Sequence, residues 1–457
     1  PTDKERGLLR GGTCAQPPLR YREGAGRGAA GAGCGRLAAM EPKLDLTKEY
    51  GLVLEGGGAK GAYQIGAWRA LKEAGVKIRG VSGTSVGALN GALICMDDLE
   101  KAEKLWANIS YSQVMDVDDA LMRRLFDKSQ MTGELWRETL KEVFRLLGEG
   151  GMDIAPLRRL IEENVDEDVI RKSPMDFYSC TYSLTDRREL NVDMKTVPEG
   201  QMKDMLLASS YLPGFKNEKL HGKTYVDGGA TNVLPMDVLL EHGYENLILL
   251  RIFGVGREKK VNIPEGVTVV EIAPQGNLGN TLQFDAARSR RNMRLGYYDA
   301  MRVIYGLQGK IYYVEQTQEE CYYLKQLVQT KEETRRRLLE AYELNTEAAH
   351  ELREFVEVFL PLLAAELKLP KDWSYSGLYL AILEHAARLL KVPRYRIYTV
   401  QELLEEARAK IRRTGIPEGL PDFAGLILEE ELLQKEALQG VPAQEEPAQG
   451  QTVHEEE

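Results

Sequence analysis

Two glycine clusters on either side of one short helix constrain this chain more than any other feature. Between Gly51 and Gly91 the sequence reads GLVLEGGGAKGAYQIGAWRALKEAGVKIRGVSGTSVGALNG. Leu52-Val53-Leu54 is a short apolar run of the kind found in a parallel strand covered on both faces. Gly56-Gly57-Gly58 interrupts it, and apolar residues then recur at helical spacing through Ala62, Ile65, Trp68 and Leu71. Gly75 stands where a glycine commonly ends a helix. Ile78 to Ser82 reads as a second strand, and Gly83-Thr84-Ser85-Val86-Gly87 turns into a second helix. The economical reading is a right-handed strand–helix–strand unit, and hence an α/β fold with a mostly parallel central sheet flanked by helices.

Neither glycine cluster is specific by itself. Gly26-Arg27-Gly28-Ala29-Ala30-Gly31 has the same glycine spacing as Gly56 to Gly61, yet no strand precedes it and no helix follows. A dinucleotide fingerprint at Gly56 requires a carboxylate about twenty positions on, at the end of the next strand. Lys77-Ile78-Arg79-Gly80-Val81-Ser82 offers none. A Walker loop requires Lys and then Ser or Thr after its glycine, and Ala62 follows Gly61. Acyl-transfer chemistry accounts for both clusters together. Gly83-x-Ser85-x-Gly87 at a strand-to-helix turn is a nucleophile elbow, which exposes the serine oxygen at the end of the sheet. Free amides of the neighbouring glycine loop can face the same point and hold the negative oxygen of a tetrahedral intermediate. The plainer alternative for Ser85 is a helix cap in a tight turn.

A serine nucleophile requires a base. His221 lies in a polar turn, His242 at a helix end, His350 and His385 in distal helical segments, and His454 in an acidic tail. None has a setting that marks it as catalytic. Asp227 does, because Thr224-Tyr225-Val226 is a short strand and Gly228-Gly229 lets the backbone turn away from the carboxylate at its end. The plainer alternative is an ordinary Asp-Gly turn.

GGGAKG, GTSVG and DGG, in that order and each after a strand, resemble the signature blocks of the patatin-like phospholipases. ASSYLPGF, with Ala208, Ser209, Ser210 and Pro213, resembles a further segment of that family. The similarity runs from about Tyr50 to Pro235. It implies that Ser85 is the nucleophile and Asp227 its proton acceptor in a Ser-Asp dyad. Gly56, Gly57, Gly58, Lys60 and Gly61 would form the oxyanion loop, Gly83 and Gly87 the elbow, and Gly228 and Gly229 the turn after the base. Glu55 stands where many members carry Asp, and Lys60 where most carry Arg. The activity implied is hydrolysis of lipid carboxylic esters, of the phospholipase or lysophospholipase type. A carboxylate base suits esters and thioesters, whose leaving groups need less help than an amide nitrogen. Two alternatives remain open: an esterase or thioesterase on soluble acyl substrates, and a catalytically silent acyl-lipid-binding module.

The rest of the chain bounds these readings. A net charge of -10 gives no support to nucleic-acid binding, and five scattered cysteines without a C-x-x-C argue against a disulfide framework or a zinc site. No metal or cofactor is expected, and Cys180 reads as a strand-core residue. Residues 1–46 are expected to be a low-complexity N-terminal extension, largely upstream of a true start at Met40 and without the apolar stretch of a secretory signal. Residues 47–310 form the acyl hydrolase domain, 311–437 a helical C-terminal region broken at Pro361, Pro370, Pro393 and Pro417, and 438–457 a disordered acidic tail. Leu135, Leu140, Val143, Phe144 and Leu147 make an apolar helical stripe read as core rather than lid. Arg288, Arg291, Arg294 and Arg302 on a helix over 284–305 are read as a solvated charged face, with contact to anionic headgroups as the alternative. No apolar run approaches eighteen residues, so no transmembrane helix is expected. The expected location is cytoplasmic, with an acyl-ester lipid as partner and transient contact with a membrane surface left open.

Overall fold

The computed structural model describes residues 40–126, 152–211, 215–216, 218–347 and 349–428. The first unit is β1 (Glu49–Leu54), α1 (Ala62–Glu73), β2 (Lys77–Thr84) and α2 (Val86–Cys95), followed by α3 (Leu99–Ala107) and α4 (Ala155–Asn164). Then come β3 (Asp176–Ser183), β4 (Arg188–Asp193), α5 (Met202–Ser209), β5 (Tyr225–Asp227), α6 (Met236–Glu241), β6 (Asn246–Leu250), β7 (Thr268–Ile272) and α7 (Ala286–Tyr305). The strands form one seven-stranded sheet in the order β4-β3-β2-β1-β6-β7, with β5 paired to β3. β3, β2, β1, β6 and β7 run parallel, while β4 and β5 are antiparallel to β3.

Strand alternation divides the core into two layers. Leu52, Leu54, Ile248 and Leu250 face α1, α2 and α7, while Val53, Leu247 and Leu249 face Val238, Leu239 and Tyr244 around α6. α1 and α7 cross at backbone contact. A Cβ on Gly66 would lie 1.8 Å from the Met293 carbonyl oxygen, and one on Gly296 would lie 1.9 Å from that of Tyr63. Those two glycines fix how deeply α7 sits against the helix that leaves the glycine loop.

Beyond Leu307 a separate group of buried residues is built from Tyr312 to Leu428. It includes β8 (Tyr313–Glu315) and β9 (Ile397–Thr399), a parallel pair. Tyr298, Tyr313 and Asp299 join it to the sheet domain: Tyr298 donates to the Tyr395 carbonyl at 2.8 Å and Tyr313 to Asp299 Oδ1 at 3.0 Å. Among the described residues no helix is long and apolar enough to cross a membrane.

Three expectations change here. Pro361 does not break the chain's helix: Glu351–Glu354, Phe355–Phe359 and Leu360–Glu366 are continuous, the middle segment in π geometry. The wider turn moves the preceding carbonyls off the proline ring, which has no N–H to donate. The arginines of α7 are only in part a solvated face, for Arg291 is exposed while Arg294 and Arg302 are half-buried. Arg302 bonds Asp299 and the Tyr312 carbonyl, Arg291 donates to the Asn277 carbonyl, and Arg294 lies over the Tyr395 ring. Arg294 and Arg302 thus pack neighbouring segments. Packing also begins before residue 47, because Leu44 is buried and the Lys43 and Leu44 amides both donate to the Ile304 carbonyl. Residues 1–39, the 135–147 stripe, Pro213, His454 and the 438–457 tail lie outside the described residues.

Candidate active site

Ser85 and Asp227 meet because two strands share one edge of β3. β2 pairs with β3 as far as Thr84 opposite Cys180, and β5 takes over the same edge with Asp227 opposite Thr181. The residue after β2 and the last residue of β5 are therefore placed end to end. Ser85 has φ 56 and ψ -125, a backbone conformation that a residue other than glycine holds only when its surroundings impose it. Gly83 and Gly87 allow it: a Cβ on Gly83 would lie 2.4 Å from the Gly87 carbonyl carbon, and one on Gly87 would lie 2.2 Å from the Leu54 oxygen. Strand and helix cross too closely for any side chain at either position.

Asp227 Oδ1 accepts the Gly229 amide at 2.8 Å. A Cβ on Gly228 would lie 2.3 Å from the Cys180 carbonyl oxygen, so this turn too runs against the strand edge. Oδ2 is buried and, among the described residues, meets no donor at full hydrogen-bond geometry. Burial pushes the Asp227 carboxyl up to about 6, opposed by the Ser85 hydroxyl and the Gly229 amide, which favour the charged form.

In the glycine loop two successive free amides lie between used ones. Glu55 and Gly56 donate to Leu250 and Val233, and Ala59 donates to Thr281 at 2.8 Å. Among the described residues neither the Gly57 nor the Gly58 amide has an acceptor. Gly58 has φ 56, and a Cβ on it would lie 2.3 Å from the Thr281 oxygen. Lys60 points away from this group: its Nζ donates to the Phe253 carbonyl at 2.5 Å, and desolvation holds its pKa below the usual lysine value. Gly61 packs on the elbow helix, where a Cβ would lie 2.5 Å from Val86 Cγ2. Gly58, Ser85 and Ser210 border one cavity of about 700 Å³, part of it open to solvent. Its remaining wall is mostly apolar and includes Leu89 and Leu93 of α2, Leu105 of α3, Leu157 and Ile161 of α4, and Phe284.

Several residues that hold this geometry carry no short-range sequence signal. Ser209 Oγ accepts the Ser85 amide at 2.9 Å and donates to the Cys180 carbonyl at 2.6 Å, bracing the elbow against β3. Asn90 donates to Gly61 and Gln64 and accepts from Trp106, while Gln64 donates to the Glu55 carbonyl. The buried Glu55 carboxylate accepts the amides of Ile252, Phe253 and Gly254 and faces Arg251 Nε at 3.2 Å. Ser209 stands in the ASSYLPGF block, but nothing in that block marks its bracing role. Asn90 and Gln64 sit at helical spacing among apolar residues and read as unremarkable.

The histidines are elsewhere engaged. His242 Nδ1 contacts the Val238 carbonyl at 2.7 Å with its ring on Tyr178, His221 pairs with Asp204, and His385 lies against Phe423. Among the described residues none is bonded to Ser85 or Asp227.

Similarity to known proteins falls on the same stretch. Residues 52–240 match the family described as Patatin-like phospholipase. A patatin-like phospholipase domain-containing protein of Caenorhabditis elegans is 29% identical over 202 residues, covering 42% of this chain and 13% of its own length. Neuropathy target esterase sws of Drosophila melanogaster is 27% identical over 210 residues, covering 44% of this chain and 12% of its own. The match thus spans only about an eighth of either relative. VipD from Legionella pneumophila aligns over 88% of this chain and 93% of its own at 14% identity, with a TM-score of 0.36, too distant a likeness to carry weight. The elbow, the glycine loop and the strand-end aspartate all lie inside the segment, residues 52–240, that matches the patatin-like phospholipase family.

Proposed function

We propose that the chain is a serine acyl hydrolase that cleaves carboxylic esters of phospholipid or lysophospholipid type through Ser85 and Asp227. The observation that carries this reading is a buried carboxylate beside an elbow serine at the mouth of an apolar cavity. The cavity suits an acyl chain, and its polar end coincides with the reacting hydroxyl. Ser85 Oγ attacks the ester carbonyl and its proton passes to Asp227. The carbonyl oxygen takes up the negative charge and is held by the Gly57 and Gly58 amides. Collapse expels the alcohol, which takes the proton from Asp227, and leaves the acyl group on Ser85. Water then enters, gives a proton to Asp227 and releases the fatty acid, and that proton returns to Ser85.

Purified chain should release fatty acid from a dispersed monoacyl phospholipid. Asp227 works only when ionised, so turnover should fall as pH drops through about 6, where burial has placed its carboxyl. Tight binding of the fatty acid with no release over that range would instead make the domain a silent acyl binder. The glycine loop gives a second test. Gly58→Ala should lower kcat by about 10²-fold or more, because the added Cβ displaces an amide aimed at the oxyanion. KM should change little. A raised KM with kcat intact would make the loop a ground-state contact.

A further inference from the structure

We propose that the loop joining β6 to β7, residues 251–267, docks this domain on a lipid bilayer, with Phe253, Val255 and Ile263 as the side chains that enter it. The inference rests on the lipid-ester reading above. Among the described residues seven large hydrophobics stand exposed, and three of them fall in this loop: Phe253 at 53%, Val255 at 84% and Ile263 at 50%. Phe253 and Val255 stand two residues apart, and the loop holds three of the seven, more than singly scattered exposure would place in seventeen residues.

Phe253 is not left outside by default. Its φ is 48, a conformation costly for a bulky side chain. The buried Glu55 carboxylate imposes it by taking three successive amides, from Ile252 to Gly254. The same segment borders both halves of the site. A Cβ on Gly254 would lie 1.7 Å from the Gly56 oxygen, one on Gly229 would lie 3.7 Å from the Val255 oxygen, and the Arg257 amide donates to Gly229 at 2.8 Å. The glycine loop and the Asp227 turn are thus linked by the backbone that holds Phe253 and Val255 outward.

Charge points to the same occupant. The loop carries four basic residues, Arg251, Arg257, Lys259 and Lys260, against two acidic ones, Glu258 and Glu265, within a chain of net charge -10. Arg251 is held by Glu55 and Glu258, and Lys259 by Asp237, which leaves Arg257 and Lys260 exposed beside the apolar tip. An apolar tip with a basic rim matches the boundary between headgroups and acyl chains.

The test uses the full chain with Ser85→Ala, so that vesicles stay intact, and co-sedimentation with phosphatidylcholine–phosphatidylserine vesicles. Adding Phe253→Asn and Val255→Ser should weaken binding by roughly tenfold or more. Asn accepts the left-handed backbone, so the loop keeps its course. In the chain with Ser85 intact, the same pair should spare hydrolysis of a monomeric short-chain ester and slow hydrolysis of vesicle lipid. Phe253→Trp should show blue-shifted fluorescence on vesicles. Unchanged vesicle binding in the pair, or no fluorescence shift, overturns the proposal. Loss of monomeric turnover in the pair also overturns it, because the loop would then belong to the catalytic machinery. Dissociation of a dimer in the pair overturns it in favour of a second copy of the chain. Absence of ester turnover in the unaltered chain defeats the hydrolase reading alone, since vesicle binding is measured without turnover.

Discussion

Ser85→Ala should reduce ester hydrolysis by roughly 10⁴-fold or more, the scale on which removal of a nucleophile acts when the rest of the site survives. The fold should remain. Ala adopts the elbow backbone no worse than Ser, the Ser85 amide still reaches Ser209 Oγ, and the close crossing of strand and helix depends on Gly83 and Gly87. Circular dichroism and melting temperature check that point alongside the rate. Turnover within about tenfold of the parent would place the nucleophile elsewhere. Ser82 is a poor substitute, since its hydroxyl is buried and donates to the Pro235 carbonyl at 2.8 Å.

Asp227→Asn should cost about 10²- to 10⁴-fold in turnover, because an amide cannot accept the serine proton. Removing the base and removing the orienter of a histidine base look alike in this variant. The histidines separate them: with Asp227 as base, His242→Gln, His221→Gln and His385→Gln should each retain most activity. Stability adds a reading of opposite sign. The folded Asp227 pKa is raised to about 6, so the native state binds more protons than the unfolded chain between the ordinary carboxylate value and 6. Stability from this group is therefore present at low pH and lost as pH rises through that window. Asp227→Asn removes the buried charge, and should melt higher than the parent at pH 7 to 8 with the advantage gone at about pH 4. A variant that is inactive and less stable at neutral pH would mean the carboxylate is held by a stronger favourable contact than the Gly229 amide and the Ser85 hydroxyl provide.

The local half of this site is legible in the residues. A glycine triplet after an apolar run, helical spacing from Ala62, and a serine between glycines after a second apolar run give β1, α1, β2 and the elbow. Those signals are short-range, and each element follows from a few neighbouring side chains. Asp227 is legible as a strand-end carboxylate, but the reason it reaches Ser85 is not. β5 must run antiparallel along the edge of β3 that β2 vacates, and no pattern within Tyr225–Asp227 specifies that pairing. Glu55 is a related case. Its position beside the triplet is evident, yet its partners lie about two hundred residues on and are backbone amides, which leave no trace in side-chain identity. The charges of α7 mislead for a different reason: long arginine stems reach carbonyls and rings on other segments, so charge at helical spacing does not by itself mean solvent. Pro361 misleads because one turn of π geometry absorbs it.

Whether Ser85 carries the reacting oxygen is decided by treating the unaltered protein with a fluorophosphonate and mapping the covalent adduct by peptide mass spectrometry. A single adduct on Ser85 is expected, formed at a rate that falls with pH through about 6 together with hydrolysis. An adduct on Ser209 or Ser210 instead, or continued ester turnover with Ser85 unmodified, would contradict it.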